Sequence, residues 1–469
     1  MSERGREQGR QGIVAVDISV IIPTHNRAAM LRSLLGRLDA QRDGTPAFEI
    51  LVVADGCEDD TLAMLASLRT RVPLRTLSLP GVGPALARNA GSQVASGRLL
   101  IFLDDDIEPG ENFVWAHVVE HQRQPGGVVL GPYPPLPHIA KDRFRLNARA
   151  WWTRHFERVS RPGHRFAFTD VLTGNLSLDA ELFHAMGGLD PQFARAREDF
   201  EFGLRLIKKG VPIRFAPDAL GYHLEHQTST LTGKMVRRHQ EGRSDALMAR
   251  KHPDIQRLLE IHRFAGRTGR KRRLQMTIAT RAGSVLDPLV KAGPRVLQML
   301  EKAGLRRLYE KLERQLNGYH YLRGAAEVLG EDWRLPTDPT ASADDIEVLE
   351  INLEQGLEAA EAMLAERRPL AVRIVNGTVP VGDMSHQIGA EPWDARHFRP
   401  WLNRQAIHGY LPVALAEWLG QPTNVRTPLS DFTLNILNNR SFHVHTIEQH
   451  VQWTQAKLPS ALYDNTSES

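Results

Sequence analysis

Between residues 18 and 103 the chain alternates short apolar runs with stretches whose apolar residues recur at helical spacing. This alternation narrows the possible folds more than any other feature. Residues 18–22 form one run, closed by Pro23, and residues 49–54 form a second that ends at Asp55-Gly56. Residues 74–79 (Leu-Arg-Thr-Leu-Ser-Leu) read as a third strand without being an apolar run, and residues 99–103 form a further apolar run that stops at Asp104-Asp105-Asp106. Uninterrupted runs of this length suit strands buried on both faces, as in a parallel sheet. Met30, Leu31, Leu34, Leu35 and Leu38 predict a helix capped by Asn26. Leu62, Leu65 and Leu68 predict another starting at Asp59 or Asp60, and residues 85–95 a third after Gly81-Val82-Gly83. The expected fold class is α/β: a mostly parallel central sheet covered by helices.

Beyond Gly131 the pattern changes. Residues 132–137 are too rich in proline for a central strand. Residues 138–168 carry Trp151, Trp152 and many basic residues, and the tryptophans can stack on an acceptor sugar but read more simply as anchors of a loop. Strand-like order returns near Val171, residues 180–207 read as two helical pieces split at Gly187-Gly188, and residues 211–216 as a strand. The expected organisation is a disordered tail over 1–16, a first domain over 17–255, a basic helical extension over 256–330 and a small α+β unit over 331–469. In the extension, Leu297, Leu300, Leu305, Leu308 and Leu312 form an irregular stripe, and Arg270-Lys271-Arg272-Arg273 concentrate charge. Two readings stand for it: a helical region packed on the first domain, or a basic amphipathic surface for anionic lipid. In the last unit, residues 344–367 predict a helix. Residues 370–375 and 378–381 about Asn376-Gly377 predict a hairpin.

Composition excludes several classes. At 469 residues, with 42% hydrophobic and 24% charged residues, the chain is neither collagen-like nor wholly disordered. One cysteine, Cys57, excludes a disulfide framework or a multi-thiolate metal site and suits a reducing compartment. No run approaches the roughly 18 apolar residues of a spanning helix. A formal charge of +4 gives no argument for nucleic acid. These features together lead to an expectation of a soluble, cytoplasmic protein, with peripheral contact to an anionic membrane left open.

The carboxylates suggest chemistry. In an open α/β sheet, ligands bind beyond the carboxyl ends of the strands. Asp55 and the Asp104-Asp105-Asp106 triplet both lie there, with Pro23-Thr24 at a third strand end. Alternation along a strand turns Asp104 and Asp106 to one side, and grouped carboxylates attract a divalent cation whose shell is filled by phosphate and water. Arg88 follows the glycine loop near a helix N-terminus suited to anions. Each feature has a plainer reading. The triplet can be an acidic turn, Arg88 can pair with Asp55, Glu198-Asp199 can favour a helix dipole, and His223 can be a satisfied histidine.

Several segments in order resemble signatures of family 2 glycosyltransferases with the GT-A fold. They are residues 19–27 (Ser-Val-Ile-Ile-Pro-Thr-His-Asn-Arg), Val52-Val53-Ala54-Asp55-Gly56, Ala87-Arg88-Asn89-Ala90-Gly91 and Phe102-Leu103-Asp104-Asp105-Asp106. Thr173-Gly174-Asn175-Leu176-Ser177, Gly187-Gly188-Leu189-Asp190, Glu198-Asp199-Phe200-Glu201, Pro217-Asp218-Ala219 and Tyr222-His223 extend the likeness to about residue 255. The resemblance implies that Pro23 and Thr24 line a nucleotide pocket and that Asp55 and Arg88 contact the base. It implies that Asp104 and Asp105 hold ribose and diphosphate, and that Asp106 of the Asp-x-Asp motif is the main metal ligand, with His223 near it. Asp199 of the Glu198-Asp199 pair becomes the catalytic base. The implied cofactor is Mn²⁺ or Mg²⁺, and the implied co-substrate is a nucleoside diphosphate sugar. The acceptor class is a glycan or lipid-linked saccharide, as in polysaccharide biosynthesis, and the outcome is inversion. Ala54 and Cys57 depart from the family's usual Asp and Ser.

Two alternatives make different demands on the sequence. A sugar nucleotidyltransferase needs a Gly-rich, basic loop after the first strand, which residues 23–27 lack. A degenerate module that binds glycan or a partner needs loss of the base or the metal acids, and Asp104, Asp106 and Asp199 are present.

Overall fold

A computed structural model describes residues 17–136, 142–193, 195–264, 290–330 and 346–405, with isolated positions at 277, 278, 280, 281, 287, 288, 333 and 335. The tail over 1–16, the Arg270–Arg273 cluster and residues 406–469 lie outside the described residues. Contacts between Cα atoms divide the chain into two units: residues 1–160 with 166–341, and residues 161–165 with 342–469.

In the first unit the expected strands become β1 (Ile18–Thr24), β2 (Phe48–Asp55), β3 (Leu74–Leu79) and β4 (Leu99–Leu103). Later come β5 (Ile107–Pro109), β6 (Val128–Leu130), β7 (Asn175–Asp179), β8 (Ile213–Phe215) and β9 (Gly221–His223). The central sheet has the order β3-β2-β1-β4-β7-β6-β8. Its β3-β2-β1-β4 half is parallel throughout, whereas β7 runs antiparallel to both β4 and β6. The expected mostly parallel α/β fold is therefore what the chain adopts. Every residue of β2 and β4 is buried, as their unbroken apolar character requires.

The helices are α1 (Ala28–Asp39), α2 (Thr61–Ser67), α3 (Pro84–Val94), α4 (Phe113–Arg123), α5 (Arg143–Val159), α6 (Ala180–Ala185), α7 (Glu198–Lys208), α8 (Glu225–Thr228) and α9 (Leu231–Lys251). Leu31, Leu34, Leu35 and Leu38 of α1 are buried, as their spacing predicts. Asn26 does not cap α1, however. It adopts φ +54° and its Oδ1 accepts the N–H groups of Glu58 and Asp59, tying the loop after β1 to the loop after β2. Trp151 and Trp152 lie in α5, not in a loop. The abundant arginines of that stretch project from a helix whose Phe144, His155, Phe156 and Val159 are buried.

The helix Arg306–Leu329 lies against α9 within the first unit, and glycines set the closeness of this pair. A Cβ on Gly242 would fall 1.9 Å from the Tyr321 carbonyl oxygen, and one on Gly324 would fall 1.8 Å from that of His239. The two backbones therefore touch, with no room for a methyl group between them.

In the second unit β10 (Val348–Asn352) pairs parallel with β11 (Ala371–Asn376), which pairs antiparallel with β12 (Val379–Met384) across the Asn376-Gly377 turn. The expected hairpin is present. The helix expected over 344–367 is shorter. Its first part is β10, and only Leu357–Arg367 is helical, because Gly356 at φ +93° breaks the chain between them. Leu357, Ala360 and Leu364 pack with Ile351, Ile374, Phe398 and Trp401. Among the described residues no helix is long and apolar enough to cross a membrane.

Gly324→Ala should lower stability by about 1–3 kcal/mol in urea unfolding, because the crossing helices cannot yield without moving backbone. Gly318→Ala in the same helix meets nothing within 4 Å. It should raise stability by roughly 0.5–1 kcal/mol through helix propensity alone.

Candidate active site

Four loops at the carboxyl ends of the strands build the site, and each is held by a specific bond. After β2, Asp55 turns its carboxylate onto the glycine loop. Its Oδ1 accepts the N–H groups of Gly81 at 2.9 Å and Val82 at 2.7 Å, and its Oδ2 that of Gly83 at 2.7 Å. A carboxylate accepting three N–H groups fixes the entry to α3. It also means that Asp55 does not pair with Arg88.

Arg88, on the buried face of α3, is 3% exposed. Its Nη2 donates to Asp104 Oδ1, and its Nη1 lies 3.7 Å from Glu198 Oε1. Arg88 Nε and Nη1 are buried without a hydrogen-bond partner. Asn89, one residue on, makes two bonds with Leu189: its Nδ2 donates to the Leu189 carbonyl and its Oδ1 accepts the Leu189 N–H. The Ala-Arg-Asn segment is thereby joined to the Gly-Gly-Leu-Asp segment that precedes α7.

The acidic triplet follows β4. Asp104 sits against Gly174, where a Cβ would fall 2.8 Å from Asp104 Oδ2, so the Thr-Gly-Asn segment needs its glycine. Asp105 accepts the Thr24 hydroxyl at 2.7 Å and pairs with Arg27. The same Arg27 Nη1 lies 3.1 Å from Asp106 Oδ2, so one guanidinium bridges both acids. Pro23 stands half-buried beside Thr24 at the end of β1. Burial pushes the Asp105 carboxyl up to about 6, aided by the charge of Asp106 and resisted by Arg27. Asp106 moves the other way: burial would raise it, but His223 and Arg27 together hold it well below the usual carboxylate range.

His223 reaches Asp106 through strand register. Ile107, immediately after the triplet, pairs with His223 in the two-stranded β5-β9 sheet, and the Leu224 N–H donates to the Asp106 carbonyl. On its other side the His223 N–H donates to the Pro134 carbonyl, and its own carbonyl accepts the Leu136 N–H. The proline-rich segment is thus an extended rail beside β9. Proline's missing donors cost nothing there, because its carbonyls do the pairing. The imidazole Nε2 lies 3.7 Å from Asp106 Oδ1, its Nδ1 is buried without a partner, and the rings of Tyr133 and Trp152 meet it edge-on. A carboxylate and an imidazole at this spacing are donors of the right kind for Mn²⁺. Among the described residues no group of three or more His, Cys, Asp or Glu side chains converges, so a cation here needs diphosphate oxygens and water to fill its shell.

Opposite stand Glu198 and Asp199 at the start of α7. Burial raises both, Glu198 to about 7 with help from the Asp199 charge and against Arg88. Arg237 and Arg197 temper the rise of Asp199. Glu198 is buried, whereas Asp199 is half-buried, with one oxygen accepting the Phe200 N–H at 2.8 Å. The α7 start is anchored from behind. Arg197, at φ +65°, donates to Asp245 of α9 at 3.1 Å, and Asp245 accepts the Tyr321 hydroxyl at 2.6 Å. Arg27, Arg197, Asp245 and Tyr321 all escape a reading of the sequence. Only Arg27 left a signal there, as the last residue of the run through Pro23-Thr24.

The structure therefore brings Pro23, Thr24, Asp55, Arg88, Asp104, Asp105, Asp106, His223, Glu198 and Asp199 to one end of the sheet. Trp152 joins them through His223.

The model of the family described as Glycosyl transferase family 2 matches residues 19–175. Validoxylamine A glucosyltransferase of Streptomyces hygroscopicus subsp. jinggangensis (strain 5008) is 30% identical over 271 residues, 51% of this chain and 61% of that protein. Chondroitin synthase of Pasteurella multocida (strain Pm70) is 25% identical over 262 residues, 47% of this chain and 26% of that protein. The chain thus spans less than two thirds of the length of these relatives. Among solved structures, a mannosyltransferase, PcManGT from Pyrobaculum calidifontis in complex with GDP-Man and Mn²⁺, aligns with TM-score 0.41 and 17% identity over 66% of this chain and 86% of that one.

Asp55→Ala should lower stability by roughly 2–3 kcal/mol in urea unfolding, since it frees three backbone donors that share one charged acceptor. Asp55→Asn, which keeps one acceptor oxygen, should lose less.

Proposed function

From the match of the Glycosyl transferase family 2 model to residues 19–175, we propose that the chain is an inverting glycosyltransferase. It moves a sugar from a nucleoside diphosphate sugar to a hydroxyl of a glycan or lipid-linked saccharide. The observation that carries this reading is the Asp104–Arg88–Glu198 chain of charges. It sets the triplet that faces a leaving diphosphate directly across from the acids at the start of α7.

Each residue has a task in this reaction. Asp55 and the loop it fixes meet the base, and Arg88, whose Nε and Nη1 make no hydrogen bond, offers donors to the nucleotide. Thr24 orients Asp105 toward the ribose and diphosphate. Asp106 and His223 would hold a divalent cation, and such an ion would supply charge neutralisation to a departing diphosphate. Asp199, half-buried and raised, accepts the proton of the acceptor hydroxyl. The hydroxyl oxygen then bonds to the anomeric carbon as that carbon's bond to the diphosphate oxygen breaks. The nucleoside diphosphate leaves on the opposite face, which inverts the centre. Burial and the Asp199 charge raise Glu198 to about 7, so near pH 7 it is ionised in only part of the molecules, which limits its repulsion of Asp199. The name of the Streptomyces relative makes nucleoside diphosphate glucose the first donor to try.

Donor hydrolysis or transfer with Mn²⁺ or Mg²⁺ tests the proposal. Asp199→Asn should lower kcat by about 10²–10⁴-fold while leaving nucleotide-sugar affinity close to wild type, measured by calorimetry. Asp106→Ala or a chelator should abolish turnover, and full activity under either would remove the metal from the reaction. The working form of Asp199 is deprotonated and its pKa is raised, so kcat/KM should fall as pH drops through a value above the usual carboxylate range. An acid limb at the ordinary value near 3.8 would show that burial does not raise the titration of the base, and an acid limb unchanged in Asp199→Asn would exclude Asp199 as its source.

A further inference from the structure

The helix Gly293–Lys302 and the helix Arg306–Leu329 meet at a tight corner, Ala303-Gly304-Leu305, where the Leu305 N–H donates to the Leu300 carbonyl. One side of the corner is covered. Leu297, Tyr309 and Leu316 pack with Phe144, Leu231 and Met235. The other side is bare: Met299 is 69% exposed and Leu308 52%, with Leu305 and Val296 also open to solvent. Val296 and Met299 stand three apart on the first helix, and Leu305 and Leu308 three apart at the start of the second, so each helix brings a pair of exposed apolar side chains to its side of the corner. A single exposed leucine needs no explanation, but a cluster marks a contact surface.

The charges around this cluster are one-sided. The three acids between residues 293 and 313 are committed to the fold. Glu301 accepts the Arg143 N–H, Glu310 pairs with Arg143 and Arg306, and Glu313 pairs with Lys234. Arg295, Lys302, Arg307 and Lys311 are exposed and make no ion pair among the described residues. Lys302 and Arg295 flank Met299 at three and four residues, and Lys311 follows Leu308 by three.

We infer that this corner seats the chain on a membrane surface containing anionic lipid. The apolar side chains enter the boundary between headgroups and acyl chains, and the surrounding cations meet the headgroup phosphates. A second copy of the same face is the poorer occupant, because a symmetric contact would set one cationic rim against another. The inference stands apart from the catalytic reading.

The test floats the full chain with phosphatidylcholine vesicles, with and without phosphatidylglycerol, at low and high salt. Binding should require phosphatidylglycerol and should fade as salt rises. The pair Lys302→Glu with Arg307→Glu, and separately Met299→Ser with Leu308→Ser, should each weaken binding at least about tenfold. Melting temperature should not change, which excludes misfolding as the cause. No flotation at low salt, equal flotation on pure phosphatidylcholine, or binding indifferent to both variant pairs would overturn the inference. A dimer in size-exclusion chromatography that the Met299/Leu308 pair abolishes, without vesicle binding, would assign the corner to a second copy instead. Donor hydrolysis on the same samples keeps the two proposals separate, since lost flotation with intact hydrolysis refutes this one alone.

Discussion

A guanidinium taken out of water cannot give up its proton, so the fold around Arg88 must bring negative charge to it. Two acids distant in sequence supply that charge. Asp104 comes from the end of β4, and Glu198 from the first turn of α7. Satisfying one cation therefore joins the parallel half of the sheet to the later half of the unit. The joint falls where the strand ends open, which makes the same interaction structural and chemical. Nε and Nη1 of Arg88 make no hydrogen bond, Nη1 meeting Glu198 only as an ion pair, so the cluster is not saturated by the protein alone.

Support for the site comes from farther away than its own loops. The left-handed Arg197 sets the direction of α7, and it is held by Asp245, which is held in turn by Tyr321. Tyr321 belongs to the helix that touches α9 through Gly242 and Gly324. The basic helical region thus reaches the acids of α7 through a buried hydrogen-bonded chain, and backbone contact between helices leaves that chain little freedom. Of the two sequence readings of this region, packing on the first domain describes its inner side, where Leu297 and Leu316 are buried.

What the sequence made legible follows from periodicity. β1, β2 and β4 lie in the interior and have a signature that solvent cannot blur, and the helix repeat of α1 is as plain, whereas β3, at the sheet edge with Arg75, Thr76 and Ser78 exposed, is marked only by Leu74, Leu77 and Leu79. The triplet and Asp55 were readable as strand-end acids for the same reason. Features decided by distant partners were not. Asn26 has a capping residue's chemistry, yet it serves the loop after β2, because a left-handed turn takes it off the helix axis. Trp151 and Trp152 sit in a helix whose many arginines obscure its apolar stripe. The role of Asp55 as acceptor for the Gly81–Gly83 loop depends on β2 and β3 lying side by side, which no local spacing reveals. Arg27 bridges two acids contributed by another strand, and nothing near it in sequence announces them.

The helix Arg306–Leu329 has its exposed corner at one end and Tyr321 well along its length. At 1.5 Å per residue, Leu308 and Tyr321 are separated by about 20 Å along its axis. One helix thus carries both the solvent-exposed leucines of the corner and, roughly three to four turns further on, the hydroxyl that holds Asp245 behind the cleft.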